Sequence, residues 1–164
     1  MNILIREATL NDVPQMVKLS AVKRTQYEKY EPVFWRGAKD SDVKQKAFFE
    51  AQVVGNKVVA LVGEQGGQVL GFLIAALVPA PPVYDPGGLT CVIDDFCVKD
   101  PTDWLTVGAA LLADIGEKVR RKSAVQIVVM CGHRDDLKRD FLASKGFGTA
   151  TEIRVKALLS EKVP

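Results

Sequence analysis

The sequence has little of what metal sites and disulfide frameworks require. It contains one histidine and three cysteines in 164 residues. The cysteines Cys91, Cys97 and Cys131 all lie within apolar runs, which is typical of reduced thiols in a hydrophobic core. With a single histidine, the usual ligand set of a zinc site is missing. We therefore expect neither a structural disulfide nor a bound metal.

The sequence also lacks an excess of one charge and a long hydrophobic run. It carries 22 Lys and Arg against 20 Asp and Glu, with both signs mixed along the chain. Nucleic acid is therefore not the expected partner. The longest apolar run, residues 69–78, is only about half the length of a membrane span. Arg6 and Glu7 interrupt the stretch in which a signal peptide would be unbroken and apolar. We expect a cytoplasmic protein with no membrane partner.

The composition is that of a folded domain with a sizeable core. Hydrophobic residues make up 48% of the chain and charged residues 26%. These fractions exclude a disordered chain, a collagen-like repeat and a disulfide-dense miniprotein. No shift in composition divides the chain, so residues 1–164 are expected to form one domain.

Hydrophobic periodicity predicts the element order β, α, α, β, β, β, α, β, α, β. The predicted strands are residues 2–6, 58–64, 69–78, 90–98, 125–131 and 151–158. The predicted helices begin near residues 9, 41, 106 and 137. Residues 79–88 hold four prolines and two glycines and are expected to form an extended loop. The strand at 125–131 is almost continuously apolar, which is typical of a strand buried on both faces.

The most specific pattern runs from Asp94 to Phe147. Val98 ends a predicted strand, Gly108 follows ten residues later, and Ala109, Ala110, Leu111 and Leu112 then open a helix. Downstream stand Phe141, Leu142, Lys145, Gly146 and Phe147. This spacing resembles the GCN5-related N-acetyltransferase superfamily, with its Arg/Gln-x-x-Gly-x-Gly/Ala loop and its Phe-Tyr-x-x-x-Gly-Phe ending. The resemblance extends over nearly the whole chain.

The resemblance implies an α/β fold and acetyl-CoA as the acyl donor. The implied fold is a mixed, mainly antiparallel twisted sheet of six to seven strands with helices on both faces. The sheet would be splayed between the strands that contain Val98 and Val125. The strand-to-helix turn supplies backbone N–H groups and the positive end of a helix dipole, which together suit a pyrophosphate.

The resemblance also implies a set of residues around the cofactor. The pyrophosphate would lie at Leu105 to Ala109, and the pantetheine arm would lie along the backbone of Val98. The implied cofactor-binding residues are Phe96, Cys97, Val98, Trp104, Leu105, Thr106, Val107, Gly108, Ala109, Asp135 and Phe141. Three positions depart from the family pattern: Asp103 replaces Arg or Gln, Thr106 replaces the first glycine, and Leu142 replaces the tyrosine. Asp103 would either place a negative charge beside the diphosphate or cap the helix itself.

Acetyl transfer to an amine needs a base for the ammonium proton and an acid for the leaving thiolate. The resemblance places the base on the strand before the loop, where Asp94 and Asp95 stand. Because strand side chains alternate, only one of the two is expected to face the thioester, and Asp94 is favoured because it shares parity with Val98. Leu142 donates no proton, so Tyr84 on the proline-rich loop or water would protonate the thiolate.

The sequence therefore predicts acetyl-CoA-dependent N-acetyl transfer to a small-molecule or peptide amine, by direct attack in a ternary complex. The alternative is a non-catalytic module of the same fold that binds a ligand or another protein, which the substitutions at Asp103, Thr106 and Leu142 favour. Fold alone does not choose between them. The acceptor amine and the acyl chain stay open, as does pairing into a homodimer through the last strand.

Overall fold

A computed structural model describes residues 3–158 of the chain. Its strands are β1 (Leu4–Glu7), β2 (Val58–Gln65), β3 (Gln68–Val78), β4 (Leu89–Val98) and β5 (Ala124–Val129), and its α-helices are α1 (Val13–Tyr30), α2 (Ser41–Val54), α3 (Val107–Arg120) and α4 (Asp136–Ser144). Residues 1–2 and 159–164 of the expected domain lie outside the described residues. They include Asn2, where the first strand was expected to begin.

The five strands form one sheet in the order in which they occur in the sequence. β1, β2, β3 and β4 pair antiparallel with their neighbours, and β5 pairs parallel with β4. Between β2 and β3, Gly66 and Gly67 adopt φ angles of 59° and 79°. Such left-handed residues form the tight turns that match the twist of a hairpin. The expected mixed, mainly antiparallel sheet is confirmed.

Apolar side chains cover both faces of the sheet. On one face, α1 and α2 contribute Met16 and Phe49, which pack with Phe72 and other strand residues. On the opposite face, α3 places Leu111 and Ile115 against the strands. In α3 this follows from the spacing of apolar residues at 107, 111, 115 and 119, which lie on one side of a helix. The expectation of helices on both faces is confirmed.

Two facing glycines bring the start of α3 close to the sheet. Gly63 and Gly71 are direct partners in β2 and β3. A Cβ atom would lie 2.5 Å from Val107 Cγ1 at Gly63 and 2.9 Å from the same atom at Gly71. Side chains at these positions would therefore push the first residue of α3 away from the strands. The hairpin thus positions the helix N-terminus.

β4 contains an irregularity at Asp94 that changes its course. Ile74 of β3 pairs with Asp95 and Ala75 pairs with Ile93, so Asp94 is an extra residue without a partner. A bulge of this kind bends the strand that carries it. On the other side of β4, the register with β5 reaches only Ile93 and Val129. The two parallel strands therefore separate where the bulge occurs.

The sequence-based expectation of six to seven strands is wrong for the part of the chain that the structure describes. Residues 151–158, expected to form the last strand, adopt no regular secondary structure and are exposed. A strand needs a neighbour to satisfy its backbone N–H and C=O groups, and this segment has none within residues 3–158. The described sheet consequently has five strands.

The expectation that the strand at 125–131 is buried on both faces is also wrong. The strand β5 ends at Val129 and lies at the edge of the described sheet. Val125 is 51% exposed and Val128 is 39% exposed. An apolar run indicates burial only where other elements cover both faces. Here no further strand lies beside β5 among the described residues.

Candidate functional site

The candidate site begins where β4 and β5 separate. The last backbone contact across this boundary is Met130 N, which donates to Ile93 O at 3.0 Å. β4 continues to Val98 without a β5 partner. Its backbone from Asp94 onward therefore has polar groups that the sheet does not satisfy on this side. Such an edge can pair with the amide groups of an extended ligand.

The N-terminus of α3 follows β4 and faces the same region. The amides of Val107, Gly108 and Ala109 lie in the first turn, where helix geometry provides no carbonyl partner. Among the described residues no side chain caps this helix, and its first turn holds no acidic residue. These amides and the positive end of the helix dipole form a candidate anion-binding site.

The Asp103 carboxylate does not cap the first-turn amides of α3. Its carboxylate accepts a hydrogen bond from Asp100 N at 3.1 Å and so closes the short 3-10 helix Pro101–Leu105. Thr106 is exposed, and its hydroxyl donates to Asp103 O at 3.4 Å. Of the two alternatives for Asp103, the capping of α3 is thus not observed. Leu105 is 71% exposed beside these residues.

An aromatic cluster fills the space between β4, the loop and α4. Trp104 stacks on Phe141 with ring centroids 5.2 Å apart and meets the edge of Phe96 at 4.9 Å. A Cβ atom at Gly108 would lie 2.8 Å from Trp104 Cε3. The glycine in the expected phosphate loop is therefore required by the packing of Trp104. All three aromatic side chains, expected near the cofactor, are buried in the core.

Lys138 of α4 closes the gap between the separating strands. Its ammonium donates to Phe96 O at 3.2 Å and to Met130 O at 3.0 Å. It also lies 5.6 Å from the ring centroid of Phe96 and 5.8 Å from that of Trp104. The residue is 0% exposed. Lys138 thus links the two strands at the point where their own hydrogen bonds end.

Burial makes Lys138 easier to deprotonate than an ordinary lysine. Removal from water disfavours the ammonium form, and the nearby Lys23 ammonium acts in the same direction. Together they lower the pKa of Lys138 to about 8, although Cys97, Cys131 and Asp135 act the other way. An amine with this pKa exists in both protonation states near neutral pH.

Asp94 and Asp95 line one cleft between α2 and the sheet. The cleft has a volume of about 270 Å³, and its other lining residues include Phe48, Ile74 and Val92. The expectation that only one of the two carboxylates reaches a given site rested on strict alternation. The extra residue at Asp94 breaks that alternation, so both side chains reach the same cleft. For the same reason the parity argument that favoured Asp94 is wrong.

The two carboxylates differ in their surroundings. Lys23 of α1 donates to Asp95 Oδ1 at 3.5 Å, and the Asp95 side chain is only 16% exposed. Asp94 is exposed at the bulge. Asp95 is therefore held in an ion pair inside the fold, whereas Asp94 is accessible to a ligand in the cleft.

Asp135 is engaged by the protein itself. It caps α4 by accepting from Lys138 N at 3.3 Å, and it accepts a hydrogen bond from the Tyr27 hydroxyl at 2.8 Å. The same hydroxyl accepts from Gly132 N at 3.1 Å. Burial and the adjacent carboxylate raise the pKa of Tyr27, so its hydroxyl stays protonated. Tyr27 also packs edge-on against Trp35.

Tyr84 lies away from the two carboxylates along β4. It is 71% exposed, on the loop that joins Val78 to the start of β4. From Thr90, which pairs with Val78, to Asp94 the strand rises roughly 13 Å. The proline-rich loop therefore lies at the end of β4 opposite to Val98.

The three cysteines are free thiols, and none is activated. Burial raises the pKa of the Cys91 thiol to about 11 and also raises the pKa values of Cys97 and Cys131. A thiol in this environment is a poor nucleophile. Within residues 3–158 no cluster of three or more His, Cys, Asp or Glu residues is arranged to hold a metal ion. In the same range no helix combines the length and the apolar character needed to cross a membrane.

Sequence reasoning missed Lys138 and Lys23. Helical spacing could have identified both residues. Lys138 precedes Phe141 and Leu142 by three and four residues, so it lies on the same face of α4 as they do. Lys23 follows Ser20, a buried residue of α1, by three residues. A charged residue on the buried face of a helix indicates an internal partner. The partners themselves come from other elements, so spacing alone does not identify them.

Comparison with known proteins shows which solved structures share this fold. No protein-family model matches the sequence, and no curated protein matches it. A mutant BH1408 protein from Bacillus halodurans superposes with a TM-score of 0.84 at 21% identity, over 95% of this chain and 99% of the other. A transcriptional regulator from Bacillus halodurans C-125 gives 0.72 at 19% identity, over 96% and 100%.

A predicted acetyltransferase from Clostridium acetobutylicum, solved with acetyl-CoA, gives a TM-score of 0.70 at 16% identity, over 94% of this chain and 96% of the other. Further similar structures are also named acetyltransferases. The chain has the fold of the GCN5-related N-acetyltransferases, as the spacing from Val98 to Gly108 predicts.

Proposed function

We propose that this acetyltransferase fold binds acetyl-CoA and transfers its acetyl group to the nitrogen of an amine. The observation that carries the proposal is the arrangement around β4. After Ile93 this strand leaves β5, and its free backbone leads to the uncapped N-terminus of α3. An unpaired strand edge suits the amides of the pantetheine arm, and a free helix N-terminus suits the pyrophosphate.

In this proposal the amides of Val107, Gly108 and Ala109 donate to the pyrophosphate oxygens. The closure of the preceding loop by Asp103 supports this role, because the carboxylate is used on Asp100 N and leaves these amides free. The backbone of Val98 holds the pantetheine arm. An N–H group on this edge also donates to the oxyanion that develops on the thioester carbonyl.

The cleft beside Asp94 is the proposed site of the acceptor amine. Its apolar walls and its carboxylates suit an amine with an apolar body. Asp94 takes the proton from the substrate ammonium because it is exposed, whereas Asp95 is paired with Lys23. The amine nitrogen then attacks the thioester carbon, the new C–N bond forms, the C–S bond breaks, and the nitrogen releases its second proton to solvent. The leaving thiolate takes its proton from solvent, because the loop of Tyr84 lies at the opposite end of β4 from Val98.

Lys138 favours a second candidate function, that of a non-catalytic module that binds a ligand or another protein. Its ammonium satisfies Phe96 O and Met130 O, which lie on the two sides of the gap. An acyl arm that enters this gap must displace these hydrogen bonds and move a fully buried side chain. If Lys138 stays in place, the protein keeps the fold without binding acetyl-CoA.

Calorimetric titration and thermal unfolding with acetyl-CoA separate the two functions. A ligand at one hundred times its dissociation constant adds about 2.7 kcal/mol to the free energy of unfolding. Acetyl transfer predicts binding to the native protein, whereas the module predicts none. If only Lys138→Ala binds the cofactor, the gap is closed in the native protein and the second function is supported.

A turnover assay with a panel of amines then tests the role of Asp94. We expect Asp94→Asn to lose turnover and to keep its affinity for acetyl-CoA. The matched control is Asp140→Asn, which removes one carboxylate at an exposed position of α4. Cofactor binding without turnover on any amine would count against the enzyme. Equal turnover by the native protein and Asp94→Asn would exclude Asp94 as the base.

A further inference from the structure

The cleft beside Asp94 continues beyond its carboxylates. Ile74 of β3 pairs with Asp95, and Val78 lies four residues further along the same face of this strand. Both apolar side chains line the cleft, as does Val92 of β4. Four residues of strand span roughly 13 Å. The cleft is therefore elongated, with two carboxylates at one end and an apolar path towards the other.

One row of side chains across the sheet sets the width of the cleft. Val58, Ala76 and Val92 are direct partners in β2, β3 and β4, and all three line the cleft and are half-buried. Because neighbouring strands lie about 4.8 Å apart, the Cα atoms of the two valines are roughly 10 Å from each other across the alanine. The floor of the cleft is lowest at the alanine, since the valine side chains rise on both sides of it. This row leaves space for one narrow chain and not for a branched or polycyclic body.

The helix α2 covers the cleft with an aromatic ring that the fold leaves partly uncovered. Phe48 and Gln52 lie one helical turn apart, and both line the cleft. Phe48 is 46% exposed, whereas the adjacent Phe49 is fully buried in the core. Apolar surface of Phe48 is therefore in contact with water. An apolar ligand between this ring and the strands would remove that surface from water, which is favourable.

The charges that line the cleft favour a cation at one end. Asp94 and Asp95 both carry carboxylates there, and Asp94 is the exposed one. Within residues 3–158 no basic side chain lines the cleft, and Gln52 is the one further polar residue. Polar groups along the body of a ligand would mostly lie against apolar walls without hydrogen-bond partners, which is unfavourable. The cleft thus suits a ligand with one ammonium group and an otherwise apolar body.

We infer that the acceptor is a primary amine on an unbranched aliphatic chain of about eight to ten carbons. Its ammonium group lies at Asp94, and its chain runs over Ala76 towards Val78. Carbon–carbon bonds of about 1.5 Å at tetrahedral angles lengthen a chain by about 1.3 Å per carbon, so about ten carbons span the cleft. The cleft volume of about 270 Å³ is small for a ligand pocket, which agrees with a slim molecule. The inference rests on the proposed function, which places the acceptor in this cleft.

A free amine suits the cleft better than a lysine side chain of another protein does. A lysine side chain is only about half as long as the cleft. With its ammonium group at Asp94, the peptide backbone would enter the cleft near Ala76, beneath Phe48. The backbone N–H and C=O groups would face apolar side chains there without partners. A free alkylamine brings no such groups.

Calorimetric titration of the native protein with n-alkylamines, in the absence of acetyl-CoA, tests the inference. The series runs from butylamine to dodecylamine. Each methylene group that enters the cleft is expected to raise the affinity about fourfold. The increase should stop at about ten carbons, where the chain reaches the end of the cleft. Octan-1-ol has the chain of octylamine without its charge, so it should bind about tenfold more weakly or worse.

Two substitutions shorten the usable length of the cleft. Ala76→Phe fills the floor about 7 Å from the carboxylate end, so the affinity should stop rising at about five carbons. Val78→Gln places a polar group at the far end, so decylamine should bind more weakly and hexylamine as it does to the native protein. The matched control Ala51→Phe adds the same ring at an exposed position of α2 and should leave the whole series unchanged. Circular dichroism shows whether each variant is folded.

An affinity for alkylamines that does not vary with chain length overturns the inference. An affinity for decylamine that neither substitution lowers overturns it as well, and Val78→Gln decides alone if Ala76→Phe does not fold. Because the titrations contain no cofactor, their result is separate from that of the proposed acetyl transfer. Turnover of short or peptide amines without length-dependent binding overturns the inference and leaves acetyl transfer standing. Length-dependent binding without turnover supports the amine site and counts against acetyl transfer.

Discussion

The replacement of Lys138 by methionine gives a quantitative test of the buried amine. Lys138 is 0% exposed and donates to the carbonyl of Phe96 in β4 and to that of Met130, which directly follows β5. Methionine is unbranched and of similar length, so it keeps much of the packing and removes the titrating group. The variant therefore reports on the protonation of Lys138 inside the fold.

The pKa of Lys138 sets the size and the sign of the effect. Folding lowers it from 10.5 to about 8, because burial disfavours the ammonium form. Between these two values the unfolded chain binds a proton that the folded chain does not. The free energy of unfolding of the native protein therefore rises with pH in this window, by about 3 kcal/mol from this group. Below about pH 8 both the folded and the unfolded chain bind this proton, so Lys138 no longer makes the free energy of unfolding depend on pH.

Urea unfolding of both proteins at about pH 7 and about pH 10 measures this contribution. Cys91 and Tyr27 also titrate in the alkaline range, but Lys138 does not shift their pKa values, so their contributions cancel in the difference. The difference therefore reports on Lys138 together with its coupling to Cys97 and Cys131. We expect the native protein to gain about 2.5 kcal/mol relative to Lys138→Met between the two conditions, because pH 10 lies just inside the upper end of the window. Lys145→Met, at the exposed residue that directly follows the same helix, should show no such change. A difference that does not vary with pH would refute the assignment of Lys138 as a buried amine with a lowered pKa.

Three further substitutions test the packing. Arg6 lowers the pKa of Asp12 to about 2, so Asp12→Asn should lower the free energy of unfolding by about 2 kcal/mol at neutral pH. Urea unfolding should show that this loss vanishes as the pH falls from about 4 to about 2, because Asp12 of the native protein is then protonated. Gly71→Ala places a Cβ atom 2.9 Å from Val107 Cγ1 and should lower the free energy of unfolding by about 1 to 3 kcal/mol, whereas Gly148→Ala, which meets open space, should not. Phe49→Ala empties a fully buried site and should cost about 3 to 5 kcal/mol by chemical denaturation. Values near zero would contradict each argument.

Local patterns were enough to predict most of the elements. Helical spacing predicts α3 because its apolar residues repeat every four positions, and the glycines at 66 and 67 predict the hairpin between β2 and β3. The candidate anion-binding site at the N-terminus of α3 is likewise predicted from residues close in sequence. These features depend on residues that are close in sequence.

Features that depend on distant partners could not be predicted in this way. The alternation in residues 151–158 indicates a strand, but a strand forms only beside another strand, and sequence does not show which edge is free. The bulge at Asp94 is a property of the register between β3 and β4, so the faces of Asp94 and Asp95 could not be read from alternation. The position of Lys138 is decided by strand carbonyls on other elements.

The glycine pair in the β2 and β3 hairpin has a practical consequence for any genetic study of this protein. Gly63 and Gly71 contact no candidate ligand, but they set the height at which the first turn of α3 rests on the sheet. If the proposed binding of acetyl-CoA holds, a random mutagenesis screen for its loss should therefore recover substitutions at both glycines. The effect at Gly63 should be suppressed by a smaller residue at Val107, whereas a Cβ atom at Gly71 would also lie 3.0 Å from Cys97 O and should be suppressed less. Such suppressor pairs would distinguish a mechanical spacer from a residue that takes part in chemistry.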